Sequence, residues 1–301
     1  MFYEEFTHER FFTEITTESD AIGLIWRSKC CGKDFECGKC GHNGFYEIKT
    51  RPEVRVCKSC KKQSRVRVGT IFQSSKTPLL FWVKAIFYAT RAKIGISATD
   101  LQRFLSLKSY GRAWCMLQKI RAAMIQRDEQ YQVGDGVIEL DGGFFGKRKT
   151  GNQCQVIIAI ESKDWVDKKG KHRSKAGYAK IMVGKETKEN AQTLVDQGVR
   201  AGSMVNTDGK FKDLENVDHD YQVVSGNTEA CNRWLPLVHK YISNAKAWIN
   251  GTHHGILSKY IQRYLGEFTY RFNRRHDIKR LFHRALTACS LARPVKLCAL
   301  C

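Results

Sequence analysis

Runs of apolar residues bounded by turn residues occupy the middle of the chain and predict β-strands. Residues 137–141 (VIELD) form the first run, and the Gly-Gly pair that follows predicts a turn. Gln155–Ile160 and Tyr178–Val183 form two further runs of strand length. Short apolar runs between turn signals are typical of buried strands. The charged stretch 163–175, which separates the last two runs, is predicted to be a loop.

The apolar spacing becomes helical after the third run. Asn190–Val199 places its apolar residues on one side of a helix. Ser203–Thr207 is a fourth strand-like run. The predicted order is therefore three strands, a helix and a strand. This order makes the region α/β and matches the start of an RNase-H-like fold.

The stretch from Thr77 to Met124 contains few turn residues and predicts helices. Ser97 suits a helix N-cap, and Asp100 three residues later resembles a capping box. A short break at residues 107–110 separates this helix from the next. Two short helices joined by a tight turn suggest a helix-turn-helix, whose second helix would enter the major groove of DNA. A plain helical hairpin is the alternative.

Four cysteines are spaced as two pairs. Cys37 and Cys40 form the first pair, and Cys57 and Cys60 follow after sixteen residues. Two residues between thiolates let a tight turn aim both sulfurs at one ion, and two such turns complete a tetrahedral zinc site. The intervening residues 45–56 alternate enough to form a hairpin. We therefore predict a zinc ribbon with a structural Zn²⁺, because four thiolates leave no open position for a substrate.

The chain is strongly basic, and its charge is unevenly distributed. Its 301 residues carry 51 Lys and Arg against 30 Asp and Glu, a formal net charge of +21. Residues 1–130 and 226–301 each have a net charge of +10, whereas residues 131–225 have +1. Such an excess favours a polyanionic partner, either nucleic acid or an anionic membrane. The basic flanks would contact phosphates, while the middle keeps its carboxylates for chemistry.

Sequence signals for a membrane or a secreted protein are missing. No run of about 18 apolar residues occurs. The first twelve residues, MFYEEFTHERFF, are partly acidic and lack the basic-then-apolar order of a secretory signal. We therefore expect a cytoplasmic protein with no membrane partner. In that compartment cysteines serve metal sites more often than disulfides.

Two aspartates are candidates for a catalytic metal site. Asp141 and Asp208 are each predicted to end an apolar strand, and each precedes a glycine. Carboxylates at the ends of neighbouring strands can share a divalent cation, and hard cations such as Mg²⁺ prefer oxygen ligands. Two such ions activate the attacking oxygen and stabilise the leaving oxygen in phosphoryl transfer. Two ordinary Asp-Gly turns are the alternative interpretation.

Two strings near the C-terminus are distinctive, ISNAKAWINGTHHG and YIQRYLGEFTYRFNRR. The cysteine ribbon precedes them, as do GTIFQSSKTPLLFW, ISATDLQRFL, AWCMLQKIRAAM and IELDGGFFGKRK. Together these blocks resemble, in order, the ISXO2-like bacterial insertion-sequence transposases of insertion-sequence family 1595. The resemblance covers roughly residues 25–280.

The resemblance implies a transposase with an RNase-H-like catalytic core that cuts and rejoins DNA with two Mg²⁺ or Mn²⁺ ions. Members carry two Asp, then Asn, Glu or His, then Lys. The matching positions in this chain are Asp141, Asp208, His239 and Lys246. The residues that we expect to contact DNA are Lys246, Arg271, Arg274 and Arg275.

Histidine at the variable position departs from the commoner acidic triad. His239 lies seven residues before Lys246, so the two share a helix face. Neutral imidazole binds metals but is softer than carboxylate, which would weaken Mg²⁺ binding and relatively favour Mn²⁺. Glu229 is the rival third ligand. Glu267 is a more distant candidate, with a surface salt bridge as its alternative role, and His239 could instead be a core histidine.

These observations predict four segments and one main function. Residues 1–70 hold the zinc ribbon, 71–130 the helix-turn-helix-like segment, 131–280 the RNase-H-like catalytic domain and 281–301 a helical tail. We expect a homo-oligomeric, nucleoid-associated bacterial transposase that joins element ends to target DNA. A non-catalytic DNA-binding regulator, either domesticated or inactive, and a metal-dependent nuclease are the alternatives.

Overall fold

The computed structural model describes residues 6–134, 136–146, 151, 153–166, 170–211, 214, 219–224 and 234–296. The chain forms two compact units. One comprises residues 1–127 and 276–301, and the other residues 128–275. The finer division into four segments stays a prediction.

The described residues form nine α-helices and eight strands. The helices are α1 (His8–Glu14), α2 (Glu18–Lys29), α3 (Leu79–Arg91), α4 (Ala98–Phe104), α5 (Tyr110–Asp128), α6 (Lys188–Gly198), α7 (Pro236–His253), α8 (Ile261–Asn273) and α9 (Leu281–Leu291). The strands are β1 (Phe45–Ile48), β2 (Arg51–Cys57), β3 (Gln63–Arg65), β4 (Val137–Phe145), β5 (Cys154–Val166), β6 (His172–Val183), β7 (Met204–Asp208) and β8 (Asp220–Val224). Within this part of the chain, no helix has the length and apolarity needed to cross a membrane.

The first unit combines a small antiparallel sheet with packed helices. Strands β1, β2 and β3 are ordered as in the sequence, and the predicted hairpin at residues 45–56 is confirmed. Helices α2, α3 and α9 pack together. Where α1 meets α3, the ring of Phe11 stacks on Phe87 with centroids 3.9 Å apart. This aromatic core holds the unit together by burying large apolar side chains.

The predicted helices of the first unit are also confirmed. Ser97 caps α4, since its hydroxyl oxygen accepts the backbone N–H of Asp100 at 3.0 Å. The cap fixes the start of α4 by satisfying a donor that has no partner within the helix. Helix α5 follows after a short break, as expected. Whether α4 and α5 act as a helix-turn-helix stays a prediction.

The second unit is a five-stranded mixed sheet in the order β6-β5-β4-β7-β8. Strand β5 is antiparallel to β4 and β6, whereas β7 is parallel to β4 and β8. Ile158 and Ile160 on one face pack with residues of α7 and α8. Ile157 and Ala159 on the other face pack with α6. The sheet is therefore covered on both faces, and the predicted α/β class is confirmed.

The Gly-Gly pair after Asp141 does not form the predicted turn. Strand β4 continues through it to Phe145. A β-carbon on Gly142 would lie 2.6 Å from Oε1 of Glu186, and one on Gly143 would lie 3.1 Å from Ile242. The two glycines thus admit neighbouring side chains close to the strand. Asp141 consequently lies inside β4, and the expectation that it ends a strand was wrong.

The charged stretch 163–175 is not the predicted loop either. Strand β5 runs to Val166 and β6 begins at His172, and the register pairs Lys163 with Lys175. Backbone hydrogen bonds between the strands hold this segment although its side chains are mostly charged. Composition alone therefore misassigned a strand extension.

Candidate catalytic site and zinc centre

The four predicted zinc ligands lie together. The Sγ atoms of Cys37 and Cys60 are 3.5 Å apart, and those of Cys40 and Cys57 are 3.6 Å apart. All four sulfurs lie within 4.8 Å of one another. A tetrahedral zinc with bonds of about 2.3 Å would separate its sulfurs by about 3.8 Å. Among the described residues these four cysteines are the one group of three or more His, Cys, Asp or Glu side chains whose ligand atoms are gathered this closely, and Asp141, Asp208 and His239 do not form a second such group.

Both cysteine pairs sit in matching turns. The carbonyl of Cys37 accepts the N–H of Gly41 at 2.8 Å, and that of Cys57 accepts the N–H of Lys61 at 3.1 Å. Gly41 has φ +71° and Lys61 has φ +59°. The left-handed conformation suits glycine and costs a lysine free energy. The second turn therefore has a lysine, Lys61, at the position where the first turn has Gly41.

The first turn also favours the thiolate form of Cys37. Backbone N–H groups of Lys39 and Cys40 point at its sulfur and lower the pKa of the thiol to about 6. Zinc binds the thiolate rather than the thiol. The turn thus prepares a metal ligand by hydrogen bonding alone.

The candidate catalytic residues come from β4, β7 and α7. Leu140 on β4 is in register with Thr207 on β7. Asp141 and Asp208 are therefore the next residues on two adjacent parallel strands, which lie about 4.8 Å apart. The sheet thus places the two aspartates side by side.

His239 contacts the first aspartate directly. Its Nε2 lies 2.9 Å from Oδ2 of Asp141, whose side chain is only 10% exposed. The other carboxylate oxygen accepts the N–H of Gly142 at 2.7 Å. Burial raises the pKa of Asp141 and the charge of Asp208 adds to this, whereas the bonds from Gly142 and His239 lower it. His239 is one-third exposed at this site and is not a core histidine. Its rival Glu229 lies outside the described residues.

A buried glutamate that the motifs did not single out fixes the helix carrying His239. Oε2 of Glu139 accepts the N–H groups of Leu237 at 2.8 Å and Val238 at 3.0 Å. These amides belong to the first turn of α7, where a carboxylate is favoured by the helix dipole. Burial raises the pKa of Glu139, and the two amides oppose the rise. The available signal was a glutamate inside an apolar strand, two residues before Asp141.

A second pair missed by sequence reasoning lies next to the aspartates. Nζ of Lys210 is 3.1 Å from Oε2 of Glu186, whose side chain is 6% exposed. Lys210 also donates its backbone N–H to Oδ1 of Asp208 at 3.1 Å. Partial burial lowers the pKa of Lys210, but Glu186, Asp208 and Asp141 outweigh it and the pKa rises. Lys210 therefore puts a positive charge beside the candidate metal ligands.

Lys246 lies on α7, two turns beyond His239. Its ammonium is exposed and 5.7 Å from the ring centre of Phe145, the last residue of β4. The long side chain thus rests on an aromatic face and keeps its charge in solvent. Its role as a catalytic and DNA-contacting residue stays a prediction.

The three arginines expected to contact DNA have partners within the second unit. Arg274 forms a 2.7 Å ion pair with Asp128, and Arg275 donates to the carbonyl of Gly177 at 3.0 Å. Arg271 lies 3.8 Å from Glu267, which is 1% exposed. The salt bridge considered for Glu267 is therefore buried and not on the surface. These internal contacts use some of the N–H donors of the three guanidinium groups. The DNA contacts of the arginines stay predictions.

The comparison with protein families decides the identity of the second unit. Residues 124–273 match the family model of the ISXO2-like transposase domain. The chain belongs to this family. The domain falls in the DDE superfamily, which implies DNA as a partner and a nuclease or transferase role. No curated protein and no solved structure is similar enough to match the chain.

Proposed function

We propose that this transposase-family protein binds the terminal inverted repeats of an insertion sequence and catalyses metal-dependent DNA cleavage and strand transfer. The observations that carry the proposal are that Asp141 and Asp208 are neighbours on β4 and β7 and that His239 on α7 contacts Asp141. Phosphoryl transfer on DNA needs such a site because charge develops on the attacking and leaving oxygens.

The sheet supports an RNase-H-like core. Three antiparallel strands come first, a helix crosses over, and two parallel strands follow on the other side of β4. Strands β4 and β7 bring their carboxylates to one edge of this arrangement. The order of elements along the chain, three strands, a helix and a strand, is the one predicted from the sequence for the start of this fold.

The three donors have the chemistry of divalent-cation ligands, although their atoms are not already gathered as the cysteine sulfurs are. Burial raises the pKa of Asp141 and the charge of Asp208 adds to the rise, so a cation between the two carboxylates would relieve their repulsion. Asp141, Asp208 and His239 would hold Mg²⁺ or Mn²⁺, with the histidine shifting preference toward Mn²⁺. When bound, such ions activate the attacking oxygen and stabilise the leaving oxygen.

The remaining residues of the site orient these ligands and the DNA. Glu139 fixes the first turn of α7 and thereby the direction of His239. Lys246, on the same helix, would contact a DNA phosphate as a point charge. The zinc ribbon and the α4–α5 segment, both in a strongly basic part of the chain, would bind the element ends.

Cleavage and joining of labelled element ends in Mg²⁺ or Mn²⁺ test the proposal. Asp141→Asn and Asp208→Asn should each abolish cleavage and leave end binding near normal, because the substitutions remove a metal ligand and keep the side-chain volume. Asp196→Asn on α6 is the matched control and should cleave normally. Cleavage retained in both site variants would refute the proposed catalytic site.

The same assay separates the two alternatives. A wild-type protein that binds ends but neither cuts nor joins them would be a regulator. A protein that cuts without joining would be a nuclease. The buried Asp141 beside Asp208 favours catalysis over regulation, since burying a carboxylate next to another one costs free energy that a regulator has no reason to retain.

A further inference from the structure

The hairpin formed by β5 and β6 extends well beyond the rest of the sheet. The register of β4 with β5 begins at Val137 and Ser162. Beyond Ser162, residues 163–166 pair only with residues 172–175 of β6. We call residues 163–166 and 172–175 the basic arm. Among the described residues these two segments pair only with each other, and an isolated pair of strands is marginally stable in water.

One face of the basic arm gathers positive charge. Lys163 and Lys175 are direct register partners, and Arg173 lies two residues from Lys175. Directly opposed residues share a face of a strand pair, as do residues two apart on one strand. All three side chains are exposed. Like charges placed opposite each other destabilise a sheet, and the ion pair that Nζ of Lys163 forms with Oε2 of Glu161 at 3.3 Å offsets only part of this repulsion.

A bulge at the base fixes where the basic arm points. Between the pairs Ile160–Ala179 and Ser162–Ala176, β6 has one residue more than β5. Glu161 stabilises the bulge, because its Oε2 accepts the N–H of Tyr178 at 3.0 Å. A β-carbon on Gly177 would lie 2.6 Å from Cδ of Glu161, so this position requires glycine. Bulges bend and re-aim the strands that carry them.

We propose that the basic arm binds duplex DNA through Lys163, Arg173 and Lys175. A two-stranded ribbon fits the major groove, which is about 12 Å wide, and cations along its face can reach the phosphates. Residues 163–175 carry six Lys and Arg against two Asp, in a part of the chain that is otherwise acidic. The inference rests on the proposed function only in taking DNA as the substrate.

The arm contacts DNA at a distance from the chemistry. Ile158 is the register partner of Asp141 and lies eight residues before Val166. At about 3.3 Å per residue, the end of β5 is about 26 Å along the strand from the aspartate. This length corresponds to about eight base pairs at about 3.4 Å each. The duplex held there is either the flank of the cleaved element end or the target DNA.

The test compares salt-dependent binding of wild-type protein and the triple variant Lys163→Ala/Arg173→Ala/Lys175→Ala. The two probes are a 40-bp element-end duplex and an unrelated duplex of equal length. Each lost phosphate contact should reduce the slope of log K against log salt by about 0.9. Three contacts predict that wild-type affinity falls roughly 40-fold more than that of the variant between about 50 and 200 mM salt.

The matched control removes three exposed charges of the same unit outside the arm, in Lys188→Ala/Arg200→Ala/Lys259→Ala. An effect of the arm variant on both probes identifies a backbone contact that serves any duplex. An effect on the element-end probe alone identifies the flank of the element end. A wild-type slope in the arm variant, or an equal loss in the control, refutes the arm as a DNA-binding surface. Wild-type protein that binds neither probe refutes the proposed function as well.

Discussion

Glu139 offers the sharpest test of how the fold prepares the candidate site. Its carboxylate is 2% exposed and is hydrogen-bonded to the amides of Leu237 and Val238. Glu139→Ala removes the acceptor and leaves both amides without it. Glu139→Gln keeps an oxygen acceptor of the same size and removes the charge. The pair of variants therefore separates hydrogen bonding from charge.

The expected magnitudes differ strongly between the two variants. A buried donor that loses its partner costs about 1–3 kcal/mol. Two such donors make Glu139→Ala less stable by about 2–6 kcal/mol. At about 2–4 °C per kcal/mol for a unit of this size, the melting temperature should fall by at least about 4 °C. Glu139→Gln should be at least as stable as wild type at neutral pH, since burial of the charge no longer costs free energy.

The pH dependence of stability independently tests whether the buried charge of Glu139 destabilises the folded protein. Burial raises the pKa of Glu139 in the folded protein above its value in the unfolded chain. The folded state therefore binds the proton more tightly, so the contribution of Glu139 to stability is greatest below the unfolded pKa. This contribution is lost as the pH rises through the folded pKa. The stability of wild type relative to Glu139→Gln should accordingly increase when the solution is acidified.

Thermal denaturation, with hydrogen exchange of the first amides of α7, measures these effects. In Glu139→Ala the exchange of the Leu237 and Val238 amides should accelerate, and cleavage should fall because His239 loses its fixed position. The reasoning is refuted if the alanine variant melts within about 1 °C of wild type. It is also refuted if the glutamine variant is destabilised as much as the alanine variant.

Three further predictions concern the metal ligands. Purified protein should contain about one zinc per chain, and Cys40→Ser should lower that content, measured by elemental analysis, and speed hydrogen exchange over residues 25–70. Lys210→Met removes a cation beside Asp208, so titration calorimetry should show tighter Mn²⁺ binding, and unchanged affinity would contradict this. His239→Ala should lose cleavage, whereas His239→Glu should retain some of it. The Mg²⁺ concentration that His239→Glu requires for cleavage should be lower, relative to the Mn²⁺ concentration, than that of wild type. Equal cleavage by both variants would exclude His239 as a ligand.

Local signals in the sequence predicted local structure well. The two C-x₂-C pairs predicted a four-sulfur cluster, and in the structure the four sulfurs lie within 4.8 Å of one another. Ser97 predicted the start of α4 from its spacing to Asp100. The cap of α4 and each cysteine turn form within a few residues, and the short β1–β2 hairpin lies between the two turns. The family resemblance also came from contiguous strings, and the family is confirmed.

Features fixed by distant contacts escaped prediction. Gly142 and Gly143 look like a turn, yet they remain in β4 and pair with β5. Glu186 and Ile242 occupy the space of their missing side chains. The buried Glu139 acts on amides 98 and 99 residues away. Neither partner can be identified from spacing. The basic arm was mistaken for a loop for a related reason, since its strand pairing is a property of two segments together.

The histidine at the variable position makes physical sense in this setting. Asp141 is nearly buried, and its carboxylate already experiences the charge of Asp208. A glutamate at position 239 would place another negative charge where Nε2 of His239 now bonds Asp141 at 2.9 Å. Like charges that close, away from water, cannot both stay ionised without a cation. Histidine instead stabilises the metal-free site by hydrogen bonding to Asp141, and the cost is a softer ligand for Mg²⁺. His239→Glu should therefore be less stable than wild type without metal, and divalent cations should stabilise it more.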